Sequence, residues 1–356
     1  MSNITNLSSA TSFPKLTIAE LLALFGFSPF SILTFQFVLP SLALFGIILS
    51  SISFYIFMIK RAKFMLPLYF YYRLLNAVYL VQLTVVIPYG FCFTPLYLSG
   101  MNAYACRVFT IAYEVFAQFC MYYTGCLEIF VLLDRMRDFS DVIKKRFNLA
   151  PSLSSLAMFC VCVLVDAFFA FNYVPGTRFE YYDFVNRTKV TGAFYVADVS
   201  PVASSAAGYK ALLTLYAVRD LFTLIVGVTL NVVSLFQFKR FLARRTQTLG
   251  VRQQQTTSSL PINFSAKKLK KKTVSTNPEK NLFFMILTLC SVSIFTRLTL
   301  IATNAYFLFH NDKITLVLVT LTDLVIVLGP CMSFFVFILF NKVFRVEFYK
   351  LFKKVN

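Results

Sequence analysis

The sequence predicts an all-α membrane protein, a seven-transmembrane-helix bundle with a short amphipathic eighth helix. Three observations carry that expectation. Seven apolar stretches occupy most of the 356 residues. The cations between them are concentrated on one side of the stretches. The composition, 58% hydrophobic with a mean hydropathy of +0.72, is too apolar for an ordinary water-soluble domain.

The stretches run at roughly 32–59, 65–91, 106–133, 152–174, 211–236, 282–309 and 314–340. At a rise of about 1.5 Å per residue, about 20 apolar residues cross a hydrocarbon core of about 30 Å as a helix. Inside lipid every backbone N–H and C=O must bond within its own segment, so the stretches are helices rather than open strands. This excludes a water-soluble enzyme. The net charge of +19 would by itself suit nucleic acid. Its confinement to particular loops argues for no nucleic-acid partner.

Of the 34 Lys and Arg residues, 24 fall on one side of the seven stretches and six on the other. Basic loops stay in the cytoplasm, which places the N-terminus outside and the C-terminus inside a plasma membrane. The expected divisions are an extracellular N-terminus over 1–31, a transmembrane domain over 32–340 and an amphipathic helix with a cytoplasmic tail over 341–356. A basic cytoplasmic loop at 239–281 interrupts the domain. Asn3, Asn6 and Asn186 begin glycosylation sequons on the predicted outer side, which implies a glycoprotein, whereas the sequon at Asn263 falls inside. No cleavable signal peptide is expected, because Leu16–Phe27 contains Glu20 and lacks a basic lead. That segment is expected at the membrane surface. In the inner loop, Gln253–Ser259 reads as unstructured. Lys267–Lys272 reads as an attractor of anionic lipid, with Thr273 and Ser275 as candidate phosphosites beside it.

Six of the eight cysteines, Cys120, Cys126, Cys160, Cys162, Cys290 and Cys331, lie within spans, where a thiol serves as a small apolar filler. Cys92 and Cys106 lie at the outer ends of the second and third spans, facing an oxidising compartment. A bridge between them is one reading and two free thiols the other.

Ionisable groups at membrane depth face the bundle interior or one another. Arg73 and Glu128 both lie about 10 Å in from the inner surface by helical rise and are expected to pair. That pair is read first as a structural tie between the second and third spans. Glu114, Asp166, Arg219 and Asp220 share a depth nearer the outside. They form either a ligand-binding cluster under the outer mouth or a mutually neutralised group. Arg297 and Asp323, near the middle of the sixth and seventh spans, are expected to form a bridge that holds a resting state. The single His310 has no second His to complete a metal site.

At the inner end of the third span, Leu132-Leu133-Asp134-Arg135-Met136 resembles the Asp/Glu-Arg-Tyr motif of rhodopsin-like G-protein-coupled receptors. Gly329-Pro330-Cys331-Met332-Ser333 resembles that family's Asn-Pro-x-x-Tyr motif at Pro330 alone. Phe344, Phe348 and Phe352 recur every fourth residue among cations, as in the family's eighth helix. The resemblance implies that Arg135 is the cation offered to a heterotrimeric G protein. Asp134 would be its local partner and Glu279 its distant one. Several features depart from the family. There is no Trp, Met136 replaces an aromatic, Ile47 follows Gly46 where Asn is typical, and no Cys lies between the fourth and fifth spans. With 43 Phe and 19 Tyr, such divergence resembles the nematode serpentine chemosensory receptors. The implied function is binding of a small molecule or peptide in the outer half of the bundle and signalling through the third, fifth and sixth helices. Ala117, rather than an Asp, occupies the place where amine receptors of the family hold their ligand. A seven-helix ligand-gated channel or transporter is the alternative. No catalytic constellation, cofactor or metal site is expected.

Overall fold

Proline positions decide where several helices begin. Pro67 and Pro151 are the first residues of α2 (Pro67–Phe91) and α4 (Pro151–Ala170), and Pro278 is the second of α6 (Asn277–Phe309). A first-turn residue has no intrahelical acceptor for its N–H, so proline sits there without loss. The computed structural model describes residues 29–59, 64, 67–91, 115–116, 118–139, 150–170, 173–174, 178–182, 190–195, 198–199, 206–258, 277–309 and 313–353. The remaining helices are α1 (Leu39–Ile59), α3 (Gln118–Phe139), α5 (Ala206–Ser258), α7 (Lys313–Phe340) and α8 (Lys342–Lys353). Pro29–Leu33 and a π-helical turn, Thr34–Val38, lead into α1.

Among the described residues, Leu39–Ile59, Leu68–Pro88, Ala217–Phe241, Lys280–Tyr306 and Val317–Phe340 are long and apolar enough to cross a membrane. The fourth span is apolar over the shorter Pro151–Ala167. Large apolar side chains on the outer faces are exposed, Leu221, Phe222 and Ile225 on α5 among them, as lipid-facing surfaces require.

Two features differ from the expectation. First, α5 does not stop at the membrane but continues to Ser258, so Gln253–Ser258 is helical. Hydropathy marks where a chain leaves lipid. It does not mark where a helix ends. Arg, Leu and Gln past Phe241 favour helix, and no proline intervenes before Pro261. Second, the connection from α4 to α5 carries two short antiparallel ladders. Strand β1 (Tyr173–Val174) pairs with β4 (Asp198–Val199), and β2 (Arg178–Tyr182) with β3 (Val190–Tyr195).

Small residues and aromatics hold the α1–α2–α7–α8 side together. A β-carbon at Gly46 would stand 2.9 Å from Leu83 Cδ1 and 3.0 Å from Cys331 Sγ, so glycine lets these side chains of α2 and α7 pack directly on the backbone of α1. Toward the inner end, Phe57 is fully buried and lies 5.0 Å from Phe64, 5.1 Å from Phe337 and 5.2 Å from Phe344 between ring centroids. Asn341 ends α7 and caps α8. Its Oδ1 accepts from the Phe344 N–H at 3.1 Å, and its Nδ2 donates to the Tyr69 hydroxyl at 3.2 Å. The amphipathic eighth helix expected from the Phe spacing is therefore present, with Phe344 buried against α1 and α7.

Candidate functional site

Arg297 on α6 reaches across to two other helices. Its Nη1 donates to Thr223 Oγ1 of α5 at 2.9 Å, and its Nη2 donates to the Met121 carbonyl of α3 at 2.7 Å. The guanidinium passes directly over Gly125, where any β-carbon would collide with it. The missing side chain at Gly125 thus makes the channel through which α6 grips α3. Glu128, one turn further along α3, lies in the field of Arg297 and hydrogen-bonds Ser293 of α6.

This corrects two expected pairings. Glu128 is partnered by Arg297 and Ser293 rather than by Arg73, whose guanidinium lies 5.8 Å from the Phe70 ring centroid. Arg297 bonds to α3 and α5, and Asp323 of α7 takes no part in those bonds. The reason is the same in both cases. Counting residues from a membrane surface fixes a side chain's depth but not the direction in which it leaves the helix. Met121, Thr124, Gly125 and Glu128 fall at helical spacing on one stripe of α3, and that stripe faces α6.

The outer group is brought together as expected for the residues described. Arg219 Nε donates to Asp220 Oδ1 at 3.0 Å, and its guanidinium lies 5.3 Å from the Tyr122 ring centroid of α3. Asp166 of α4 lies within its electrostatic reach. All three ionisable groups are buried. Thr223, which the sequence reading missed, joins this group to Arg297. Its hydroxyl donates toward the Asp220 carbonyl at 2.9 Å and accepts from Arg297. The signal was its place three and four residues after Asp220 and Arg219, on the same helix face.

Two cavities adjoin this network. The larger, about 510 Å³ counting its open mouth, lies between α2, α3, α6 and α7 and is lined by Tyr79, Gln82, Thr124, Glu128, Arg297 and Pro330 among others. The smaller, about 270 Å³ on the same basis, lies between α3, α5 and α6. Glu128, Ser293 and Arg297 line both. Asp166, Arg219 and Asp220 line neither of these two cavities.

Nearer the inner surface, Asp134 pairs with Arg137 at 3.3 Å, and Arg135 lies within the field of Tyr69 and Tyr72 on α2. Pro330 is buried within α7 and lines the larger cavity. Ser333 Oγ donates to the Gly329 carbonyl at 3.2 Å, and the Tyr79 hydroxyl hydrogen-bonds Ser333. Glu114, Cys92, Cys106, Asn3, Asn6, Asn186, Leu16–Phe27, Lys267–Lys272, Thr273, Ser275 and His310 lie outside the described residues. Glu279 falls on the first turn of α6, with its side chain outside them. Asn186 belongs to the connection 183–189 between β2 and β3.

The helix order, the eighth helix and the inward-facing polar network define a rhodopsin-like seven-helix membrane fold. The crystal structure of squid rhodopsin matches it with a TM-score of 0.59 over 91% of this chain and 86% of that one, at 11% sequence identity. That likeness is one of fold. The sequence matches no family model and no curated protein.

Proposed function

We propose that this chain is a G-protein-coupled receptor of chemosensory type, set in the plasma membrane with its N-terminus outside and its C-terminus in the cytoplasm. The observation that carries this reading is the Arg297 tie, one guanidinium on α6 bonded to both α3 and α5 at the wall of the larger cavity. A small ligand entering that cavity competes for Arg297 and Glu128. Its binding biases α6 between tied and released arrangements, which is the differential interaction that ligand-driven switching requires. Release of α6 parts the inner ends of α3, α5 and α6 and exposes Arg135, beside Asp134, to the α-subunit of a heterotrimeric G protein. Glu279, Pro330 and Asp323 belong to the same switch by position. Asp166, Arg219 and Asp220, with Glu114, form the layer a ligand meets above the tie. Cys92 and Cys106 form the outer bridge, and Asn3, Asn6 and Asn186 carry glycans. The rhodopsin-like fold supports this reading, as does a cavity bounded by a charged tie.

The test has two parts. An epitope tag ahead of Pro14 should be reached by antibody on unpermeabilised cells. A resonance-energy-transfer panel of G-protein α-subunits, run against a small-molecule library, should then report ligand-dependent dissociation that Arg135→Ala abolishes at equal surface expression. Ligand-evoked currents that persist without G proteins would overturn the proposal, as would a tag reached only after permeabilisation.

A further inference from the structure

We propose that the smaller cavity, between α3, α5 and α6, is a built hydration site in which water bridges the Asn231 amide to Glu128 and Ser293. Asn231 is 7% exposed and lines this cavity, yet neither its Nδ2 nor its Oδ1 has a hydrogen-bond partner. A primary amide offers two donor hydrogens and two acceptor lone pairs. Left bare inside a bundle, it forfeits the hydration it had in water and gains nothing in exchange.

The space and the walls both fit water. The enclosed space of the cavity, apart from its mouth, has room for about one water. A β-carbon at Gly227, one turn before Asn231 on the same face of α5, would touch nothing within 4 Å. Thr223, Glu128, Ser293 and Arg297 supply the polar walls. Apolar cavities stay dry, whereas a cavity with several converging polar groups holds water. A metal cation suits the site less well. It would sit beside the Arg297 guanidinium, and it would leave the Nδ2 hydrogens without an acceptor. Water both donates and accepts. At this level α5 is therefore joined to α3 and α6 through solvent, eight residues along from the direct Thr223–Arg297 bond.

Hydroxyl-radical footprinting by X-ray radiolysis, on the purified full chain in nanodiscs, tests this. Cys290 lines the cavity and is 4% exposed, whereas Met285 is fully buried and lines neither cavity. Both sulfur side chains react fast with radicals formed from adjacent water. The expected result, corrected for intrinsic reactivity, is oxidation of Cys290 several-fold faster than Met285. Asn231→Leu should bring Cys290 down to the Met285 rate, and Asn231→Ser, which puts a hydroxyl where the amide stood, should hold it above that rate. Filling the space with Gly227→Val should also slow Cys290. Equal protection of Cys290 and Met285 in the unmodified protein would overturn the proposal, and that comparison needs no variant to fold. A Cys290 rate unchanged by Asn231→Leu would overturn it as well. A third contrary result would be a rise in thermal stability specific to sodium over N-methylglucamine that disappears in Glu128→Gln, since the site would then hold a cation.

Discussion

The α1–α2–α7–α8 side and the α3–α5–α6 side of the bundle are held by different forces. On the first side, Phe57, Phe64, Tyr72, Phe337 and Phe344 fill one another's gaps, and Gly46 lets three helices touch. Those contacts are many, individually weak and undirected. On the second side, the smaller cavity stands between α3, α5 and α6, and the larger one parts α3 and α6 from α2 and α7. In addition to the stacked Phe238 and Phe283, the guanidinium of Arg297 bonds α6 to both α3 and α5. A packed seam has one good arrangement. A seam spanned by a few directional bonds can have two, one with the bonds made and one with them broken. On the switching proposed above, the contrast separates a fixed frame from the helix that changes partners.

The largest expected effect lies at Arg297. Arg297→Leu removes two hydrogen bonds from a charged donor, to Thr223 and to the Met121 carbonyl, each worth about 1.5–3 kcal/mol, and takes the cation from the field of buried Glu128. Thermal unfolding in detergent should drop accordingly, and basal signalling should rise in the protein that remains folded. Adding Glu128→Leu removes the buried carboxyl, so the double variant should lose less than the sum of the two single variants while keeping the raised signalling. Additive losses would mean that the two residues do not form a unit, and the contrast between the two sides would lose its central bond.

Gly125→Ala sharpens the same point with less damage. The atoms in the way are the far end of a flexible arginine, so the new methyl displaces the guanidinium without forcing the helices apart. What disappears is the bond to the Met121 carbonyl. A hydrogen bond from a charged donor is worth about 1.5–3 kcal/mol, and stability should fall within that range with a rise in basal signalling. Unchanged signalling at reduced stability would make Arg297 a brace rather than a switch.

These two residues mark the boundary of what the sequence discloses. The levels of the helices were readable because lipid imposes a length and a hydropathy on every crossing. The eighth helix was readable because Phe344 and Phe348 keep helical spacing beside cations. The grouping of Asp166, Arg219 and Asp220 followed from depth alone. The partner of Glu128 did not, because azimuth depends on how neighbouring helices rotate, and no single sequence records that. Gly125 carried no signal, since a glycine inside an apolar helix announces neither a gap nor what fills it. The length of α5 was hidden for a related reason, as the polar residues after Phe241 read as loop until their helix propensity is weighed against the absence of proline.

On the frame side, Phe57→Leu keeps an apolar residue but loses ring-to-ring contacts worth about 0.5–1.5 kcal/mol each. A fall of about 1.5 kcal/mol in stability is expected, with basal signalling unaltered. Raised signalling comparable to that of Gly125→Ala would show that the frame also moves.

Asn341→Ala tests how α8 is attached. The Phe344 N–H loses its acceptor and the Tyr69 hydroxyl its donor, and loss of an N-cap costs about 1 kcal/mol. Hydrogen exchange at the amides of the first turn of α8 should quicken by several-fold while α2 is unaffected. Exchange that quickens equally along α2 would mean that the cap holds the frame itself.

The smallest effect belongs to the seam where frame and moving set meet. Thr303 of α6 and Thr322 of α7 are buried with their hydroxyl oxygens 2.7 Å apart. Interhelical hydrogen bonds in membranes average about 0.6 kcal/mol, because a stranded hydroxyl can turn back to a carbonyl of its own helix. Thr303→Val should therefore lower stability by roughly that amount, and Thr303→Val with Thr322→Val by little more, giving a coupling of about 0.6 kcal/mol by the same scale. On the proposed switching, so weak a bond would let α6 slide against α7 when Arg297 lets go. A coupling well above the roughly 1.7 kcal/mol upper bound seen for such pairs would assign α6 to the frame at its outer end. Release at Arg297 would then have to bend the helix rather than shift it.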